Sequence, residues 1–569
     1  MRHAAPFLIA LLLLPLPASA VDPPHESLAP LGETQEQLLL ATLGRIHAIR
    51  APLLARPAFT APGGGFDAEL ELPSGANLLS MTLVRGTAAC ALLPTAAPAL
   101  APSQAWADLP SLLVVHARAQ VPTTCAPALY DLHVTYRAAL GTTEERQVRA
   151  VRVMDPARHH ALATGAAHPR IVVIADPQIG DPRALVEAAE EDPARIPALA
   201  DGMLGDGSPA PGGRWKAVRA AFAEARALQP DFVLVAGDLG FGQLVPGSYA
   251  VEYEEIWRVL AAADVPLFVA PGNHDGYVAN GQDGFAYWRA YIGPTYTLAP
   301  SVPGTHVLVL NTYDWSDMDR MGISYGVSAW GGQVREEQLA WAADSLAALR
   351  AAQPGARVVA VSHHSPSWRQ DAFHAHADGV PVAEQVERGA VTYATTDQGW
   401  SGRNRLELRD LLRDHGVEVA FAGHTHHDRV ARDDGAGGIV GTFQTTQAMP
   451  AGFDPRLLHR WTRDDLLLAG ETQAQLAERV RAPTGPLYID TTTVMSETTQ
   501  YWGYRPVQFV YGPDGRLDLA RFGYAMTQAE LDELAHHPEL YNAEHASLGL
   551  FSKPLRLTMG EPWSLAPRP

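Results

Sequence analysis

Apolar and polar residues alternate with period two along an N-terminal stretch of the chain. Between about 62 and 155, residues such as Phe66, Ala68 and Leu70 interleave with acidic residues, which is typical of strands that bury one face. Comparable runs occur at 78–84, 112–119, 129–136 and 147–153. Because turns rich in Gly, Pro and Thr separate these runs, residues 62–155 are predicted to form a small all-β sandwich.

After residue 168 the pattern changes to continuous apolar runs, such as 171–175, which indicate strands buried on both faces. Helical periodicity precedes most of the later runs. The predicted helix and strand pairs are 215–228 with 232–236, 253–263 with 266–270, 338–349 with 357–362, and 406–414 with 417–422. This alternation predicts a layered α/β domain over residues 168–525.

The later part of this domain carries weaker signals. Residues 504–511 and 516–522 flank a Gly-Pro-Asp-Gly turn and predict a β-hairpin. Two stretches, at about 367–404 and 447–485, are predicted to be insertions, and long loops on enzymes often face the substrate. Residues 526–569 are predicted to be a C-terminal tail.

The N-terminus is typical of a secretory signal peptide. Arg2 precedes an apolar stretch at 7–16, and small residues end at Ala20, after which we expect cleavage. The apolar stretch is too short to span a bilayer, so the sequence predicts a secreted or periplasmic protein without a transmembrane anchor. Residues 21–60 are predicted to be a linker that contains a helix at about 34–49.

Composition narrows the possible functions. A chain of 569 residues is long enough for two or three domains. Its net charge of −19 disfavours a general nucleic-acid binder, which would carry a basic face. The two cysteines, Cys90 and Cys125, both lie in the predicted sandwich. Export favours a disulfide between them, and the alternative is a pair of buried thiols.

Residues suited to bind metals follow the apolar runs in an ordered series. They are Asp176-Pro-Gln178, Gly237-Asp238, Gly272-Asn273-His274-Asp275, His363-His364 and Gly423-His424-Thr425-His426. In open α/β sheets the binding crevice lies beyond the carboxyl ends of the strands, so these residues can meet although they are far apart in the chain. Mixed carboxylate, amide and imidazole ligands suit Zn, Fe or Mn better than Ca. The series predicts two divalent metal ions that act on a phosphate ester.

In this order the motifs resemble those of the calcineurin-like metallophosphoesterases, whose pattern is Asp-x-(His/Gln), Gly-Asp, Gly-Asn-His-Asp, His-x-Pro and Gly-His-x-His. The resemblance covers about residues 168–445, and the flanking segments 292–296 and 338–341 agree with it. It implies an α/β (α+β) fold, a four-layer sandwich of two mixed sheets flanked by helices, here preceded by the small β-sandwich.

The resemblance also implies a role for each motif residue. One metal ion would be held by Asp176, Gln178, Asp238 and His426, and the other by Asp238, Asn273, His364 and His424. His274 would face the phosphate, with Asp275 as the group that orients it. We prefer His364 to His363 because 364–366 matches His-x-Pro; His363, one residue earlier on a strand, is expected to point to the opposite face.

Two residues depart from the family pattern. Many members have His where this chain has Gln178, and a neutral amide ligand is expected to shift metal preference towards Mn or Fe. Purple acid phosphatases also join a β-sandwich to this fold, but they carry an iron-binding Tyr where this chain has Phe241. We therefore expect no iron–tyrosinate colour.

The sequence therefore predicts an exported phosphoesterase that hydrolyses phosphomonoesters or phosphodiesters by attack of a dimetal-bound hydroxide. One alternative is a phosphodiesterase specialised for lipid headgroups or cyclic nucleotides, and another is a catalytically inactive binding protein on the same fold. Trp368, Trp400 and Trp502 could line a substrate groove, although aromatic residues more often pack in cores. The substrate, the metal and the oligomeric state cannot be read from the sequence.

Overall fold

The structure is a computed structural model. It describes residues 46–179, 215–242, 248–279, 282–321, 331–367, 400, 402–424, 429–433, 439–444, 485–491, 493–494, 504–509 and 521–522.

The N-terminal region consists of two five-stranded sheets. Its strands are β1 (Ile49–Ala51), β2 (Ala58–Thr60), β3 (Gly65–Leu70), β4 (Asn77–Arg85), β5 (Ala88–Ala91), β6 (Leu93–Pro94), β7 (Ala99–Pro102), β8 (Leu113–Gln120), β9 (Ala128–Ala138) and β10 (Gly141–Val153). One sheet has the order β1-β3-β8-β6, with β7 also paired to β8, and the other has the order β2-β10-β9-β4-β5. Residues of both sheets, including Phe66, Leu83 and Leu132, share one buried cluster. The period-two pattern therefore predicted this β-rich region correctly.

A disulfide joins Cys90 to Cys125, whose Cα atoms are 5.9 Å apart. It links β5 to the loop that precedes β9, and it confirms the bridge that export favoured. The two residues are 35 positions apart, and closing a loop of that size lowers the entropy of the unfolded chain by the equivalent of about 4 kcal/mol.

The predicted helix at 34–49 is wrong at its C-terminal end. Ile49 begins a strand and pairs with Leu70 of β3, because pairing with the neighbouring strand outweighs the local helical pattern. Residues 34–45 lie outside the described part of the chain.

The second region alternates helices and strands. Its elements are α1 (Pro156–Ala163), β11 (Arg170–Ile174), α2 (Trp215–Ala227), β12 (Phe232–Ala236), α3 (Ser248–Ala263), β13 (Leu267–Ala270), α4 (Asn273–Gly276), β14 (Val278–Ala279), β15 (Gln282–Asp283), α5 (Gly284–Tyr291), β16 (Thr297–Pro300), β17 (Thr305–Val309), α6 (Asp317–Met321), α7 (Glu336–Ala352), β18 (Arg357–Val361), α8 (Arg405–Asp414), β19 (Val419–Ala422), β20 (Arg429–Asp433), β21 (Ile439–Gln444), β22 (Leu487–Asp490), β23 (Arg505–Gln508) and β24 (Arg521–Phe522).

Two mixed sheets form the centre of this region. The first has the order β13-β12-β11-β23-β24, in which β11, β12 and β13 run parallel. The second has seven strands in the order β16-β17-β18-β19-β22-β20-β21, in which β17, β18, β19 and β22 run parallel. The antiparallel pairing of β23 with β24 agrees with the predicted hairpin, whose turn lies outside the described residues.

Side chains on alternate positions of the central strands define four layers. On β12, Phe232 and Leu234 pack between the two sheets, whereas Val233 packs on the side that carries α2 and α3. On β18, Val359 packs between the sheets and Val358 packs against α7 and α8. Strands with apolar residues on both faces are what a sheet buried between two layers requires. The predicted four-layer α/β fold is confirmed.

The N-terminal sheets contact the α/β region through polar and aromatic groups. Asp264, after α3, forms ion pairs with Arg85 of β4 and Arg149 of β10, with N–O distances of 3.1 and 3.2 Å. The ring of Phe59 stacks on that of Phe268 at a centroid distance of 6.0 Å. Among the described residues, no helix is both long and apolar enough to cross a membrane.

Candidate metal centre

The parallel strands of both sheets bring their carboxyl ends to one site. Asp176 follows β11, Asp238 follows β12 and Asn273 follows β13, all in the first sheet. His363 follows β18 and His424 follows β19, in the second sheet. The backbone N–H of His424 donates to the carboxylate of Asp176 at 3.0 Å across 248 residues of sequence, which shows that the ends of both sheets converge.

The side chains of these five residues meet in a buried cluster. The Nε2 atom of His363 lies 3.2 Å from Oδ2 of Asp238, 3.9 Å from Oδ1 of Asp176 and 2.9 Å from Oδ1 of Asn273. The Nδ1 atom of His424 lies 3.0 Å from the same Asn273 oxygen. Ligand atoms of Asp176, Asp238 and His363 all lie within 4.8 Å of one another, a spacing at which they could hold one ion.

Charges in the cluster favour a cation at its centre. Burial alone would raise the pKa of Asp238, but His363 and His274 hold that pKa well below its usual range. Burial opposes a charge on His363, yet the carboxylates of Asp238 and Asp176 raise the pKa of its imidazole to about 9. A divalent cation would compete with this proton for the same carboxylates.

Gln178 supplies an independent sign that a ligand belongs here. Its Nε2 group donates to Oδ2 of Asp238 at 3.3 Å, and its Oε1 atom is buried with no hydrogen-bond partner among the described residues. A buried carbonyl oxygen without a partner is costly, and a metal ion would satisfy it. The donor set of carboxylate, amide and imidazole therefore fits a transition-metal ion.

Four of these residues have strained backbone conformations. The φ angles are 49° for Asp176, 39° for Gln178, 51° for Asp238 and 68° for His424, in the left-handed region that residues other than glycine rarely adopt. Such strain persists only where the surrounding structure imposes it, and it concentrates at functional sites. Here it turns the side chains at the strand ends towards one point.

Close packing explains the glycines of three motifs. A Cβ atom on Gly237 would collide with the ring of His363, one on Gly272 with the carboxylate of Asp238, and one on Gly423 with that of Asp176. Each motif glycine thus leaves room for a side chain from a different motif. This interlocking of the motifs explains why a glycine precedes Asp238, Asn273 and His424.

His274 lies at the edge of the cluster, with its side chain 13% exposed. Its Nδ1 atom is hydrogen-bonded to the backbone carbonyl of Phe241, which can only accept, so Nδ1 carries the hydrogen. The other ring nitrogen, Nε2, lies 3.8 Å from Oδ2 of Asp238 and faces the cluster. The Phe241 carbonyl therefore orients His274, a role that no sequence motif indicated.

Asp275 has a different role from the one predicted. Its carboxylate accepts backbone N–H groups of Leu239, Gly240 and Gly272 at 2.8–3.2 Å and makes no bond to the His274 ring, so the prediction that Asp275 orients His274 is wrong. Burial and the nearby Asp238 raise the pKa of Asp275 to about 7, although the three N–H groups oppose this shift. Asp275 fastens the loop after β12 to the loop after β13.

The expectation that His363 points away from the site is also wrong. Strand β18 ends at Val361 and the chain bends at His363 and His364, so the alternation of a strand no longer applies there. The rings of His363 and His364 both lie beside that of His424, at centroid distances of 4.9 and 4.1 Å. Both histidines are thus brought to the cluster.

Thr312 distinguishes these two histidines. Its Oγ1 atom accepts the backbone N–H groups of His363 and His364 at 3.2 and 2.8 Å and lies 3.2 Å from Nδ1 of His364. A hydroxyl oxygen has two lone pairs and one hydrogen, so with both lone pairs occupied it donates that hydrogen to Nδ1. This hydrogen bond favours the tautomer of His364 that carries its hydrogen on Nε2. Ligand atoms of His363, His364 and His424 nevertheless lie within 4.8 Å of one another, so these three histidines form a second group that could hold an ion.

Other predicted residues lie elsewhere or outside the described chain. His426, Trp368 and Trp502 lie outside the described residues. Trp400 is fully buried in the core between the second sheet and its helices, where its Nε1 donates to the carbonyl of Arg403 at 3.1 Å. The prediction that Trp400 could line a substrate groove is therefore wrong.

A segment late in the chain completes the cluster. The hydroxyl of Thr493 donates to the carbonyl of Asp176 at 2.8 Å, and the N–H of Val494 donates to the carbonyl of Ala175 at 3.0 Å. These bonds support the strained backbone of Asp176. Sequence reasoning missed Thr493 because a single threonine in no motif gives no signal.

Comparison with known proteins agrees with this geometry. Residues 169–428 match the calcineurin-like phosphoesterase family, whose members are hydrolases that act on phosphate esters and normally use divalent metal ions. No curated protein matches the chain.

Two solved structures show weak similarity. The TT1561 protein of Thermus thermophilus is 13% identical, with a TM-score of 0.24 over 48% of this chain and 87% of that one. Amylomaltase from Corynebacterium glutamicum is 14% identical, with a TM-score of 0.12 over 32% of this chain and 21% of that one. Similarity at this level carries no argument about fold or activity.

Replacing Gly272 by Ala tests the interlocking of the motifs. Gly272 has an ordinary φ of −109°, so the added methyl group acts only through its collision with Asp238. We expect the free energy of unfolding in urea to fall by about 1–3 kcal/mol, with less bound metal by elemental analysis. Gly355→Ala is the matched control, because a Cβ there meets open space. Equal stability and equal metal content in the two variants would contradict the interlocking.

Proposed function

We propose that this protein is an exported, metal-dependent phosphoesterase that hydrolyses phosphomonoesters or phosphodiesters at the cluster described above. The observation that supports it most is the meeting of Asp176, Asp238 and His363 within 4.8 Å in a buried site. The match of residues 169–428 to the calcineurin-like phosphoesterase family supports the same reaction class.

The donor atoms suggest how two ions would be held. Asp238, Asn273, His363 and His424 surround one position. Asp176 and Gln178, together with Asp238 and with His426 as the motif resemblance implies, would hold a second ion. When bound, divalent ions supply Lewis acidity that polarises the phosphate and lowers the pKa of water. The mixed donor set favours Mn, Fe or Zn.

His274 is the residue placed to move a proton. Because its Nδ1–H is held by the Phe241 carbonyl, only Nε2 is available to the substrate. In its protonated form Nε2 can donate to a phosphate oxygen or to the oxygen of the leaving group. The His274 side chain is partly exposed whereas the neighbouring Asp238 is buried, and this exposure suits contact with an entering ester.

Export is supported by the disulfide. Cys90 and Cys125 form a bridge, and structural disulfides persist mainly in oxidising compartments. Together with the signal-like pattern of residues 1–20, this favours a secreted or periplasmic location, with cleavage after Ala20.

Hydrolysis of two chromogenic esters tests the proposal. The purified protein is stripped of metal by a chelator, supplied with Mn²⁺ or Zn²⁺, and assayed with p-nitrophenyl phosphate and bis-p-nitrophenyl phosphate. We expect metal-dependent release of nitrophenol from at least one of them. The ratio of the two rates separates a monoesterase from a diesterase. No metal-dependent turnover of either ester across the pH range would favour an inactive binding protein.

Replacing His274 by Ala should slow turnover without loss of metal. Removing a positioned general acid typically costs about 10²–10⁴-fold in rate, and the ring contributes no bond within the metal-binding set. Steady-state kinetics and elemental analysis on the same preparation check both parts. His160→Ala, an exposed histidine on α1, is the control and should match the unmodified protein. Loss of metal from His274→Ala would instead make His274 a ligand.

Comparing His363→Ala with His364→Ala decides which histidine binds metal. Because Nε2 of His363 contacts both Asp238 and Asn273, its removal should cost at least one bound ion. His364→Ala should keep both ions, since Thr312 occupies its Nδ1. Elemental analysis after dialysis measures the difference, and the opposite ranking would restore His364 as the ligand.

A further inference from the structure

The amide of Asn273 has a buried hydrogen-bond partner outside the metal-binding motifs. Its Nδ2 group donates to the hydroxyl oxygen of Tyr277 at 2.5 Å, one helical turn further along the chain. Both side chains are 1% exposed. The Tyr277 oxygen is the one acceptor that Nδ2 has among the described residues.

The orientation of this amide decides whether Asn273 can bind a cation. The two ends of an amide have nearly the same shape, but only the oxygen is a metal ligand. In the structure Oδ1 faces the cluster, 2.9 Å from Nε2 of His363 and 3.0 Å from Nδ1 of His424. The NH₂ group then points into a buried region, where it needs an acceptor.

We propose that Tyr277 is a positioning residue for the metal centre: its hydroxyl oxygen accepts the Asn273 Nδ2 group and thereby keeps the Asn273 oxygen turned towards the bound ion. This inference rests on the proposed function, because it assigns Asn273 to the ligand set. Tyr277 lies outside the recognised motif 272–275 and would join the residues that support the metal centre.

The ring of Tyr277 is held in place independently of its hydroxyl. It packs edge-on against the ring of Tyr313 at a centroid distance of 5.9 Å and lies 5.0 Å from the ring of His274. It belongs to the buried cluster between the first sheet and its helices. Tyr277→Phe therefore keeps these ring contacts and removes the hydroxyl that accepts the Asn273 amide.

Tyr313 provides a matched control. Its side chain is fully buried and touches Tyr277, but its hydroxyl has no hydrogen-bond partner among the described residues. Tyr313→Phe thus removes the same atom from a neighbouring ring without affecting the Asn273 amide.

The test is a titration of the metal-free protein with Mn²⁺ and, separately, Zn²⁺, read by calorimetry. We expect Tyr277→Phe to weaken binding of the ion that Asn273 holds by about 10–100-fold, as is typical when a partner of a metal ligand is removed. Tyr313→Phe should stay within about twofold of the unmodified protein. Equal affinity in Tyr277→Phe and the unmodified protein would overturn the inference.

A second pair of variants separates positioning from general destabilisation. If Tyr277 acts through Asn273, then adding Tyr277→Phe to Asn273→Ala should change the affinity no further. A further loss of the same size in the Asn273→Ala background would show that Tyr277 acts by another route and would refute the positioning role. If the unmodified protein binds neither metal, the proposed function fails rather than this inference alone.

Discussion

Burial of two carboxylates at one point is the constraint on which the rest of the site depends. Asp176 and Asp238 are no more than 1% exposed, and burying like charges together is very costly unless opposite charge compensates them. His363 supplies part of that charge, with Nε2 3.2 Å from Asp238. Divalent cations would supply more, and the Gln178 oxygen, which has no hydrogen-bond partner in the described part of the chain, offers them a further ligand. The strained backbones, the motif glycines and the bonds from Thr493 all serve to hold this arrangement of charges.

The groups that orient the cluster come mostly from backbone and from hydroxyls. The backbone carbonyl of Phe241 fixes the tautomer of His274. The Thr312 hydroxyl accepts the backbone N–H groups of His363 and His364 and so anchors the bend at these residues. The Tyr277 hydroxyl accepts the amide of Asn273. Such outer partners set the direction and tautomer of a metal ligand and thereby tune its affinity. In this chain all three lie outside the recognised motifs: Phe241 and Tyr277 follow a motif by a few residues, and Thr312 lies 51 residues before His363.

The family match ends at residue 428, but the fold that positions the centre does not. Strand β22 lies between β19 and β20 in the second sheet, and the segment that follows it bonds to the backbone at Ala175 and Asp176. Strand β23 pairs with β11 in the first sheet. Residues after 485 therefore contribute strands to both sheets, although they lie beyond the segment that matches the family.

The sequence by itself determined the elements and the kind of chemistry. Period-two and continuous apolar runs located many of the strands, although not β17 or β22 of the second sheet, and the order of Asp, Asn and His after the predicted strands indicated a metal centre. It could not decide which of His363 and His364 faces Asp238, nor that Asp275 binds backbone. Those outcomes depend on residues just beyond the strand ends, where the alternation of side chains stops. There the backbone takes left-handed or bent conformations that are stable only because both sheets pack around them, so tertiary structure alone decided them.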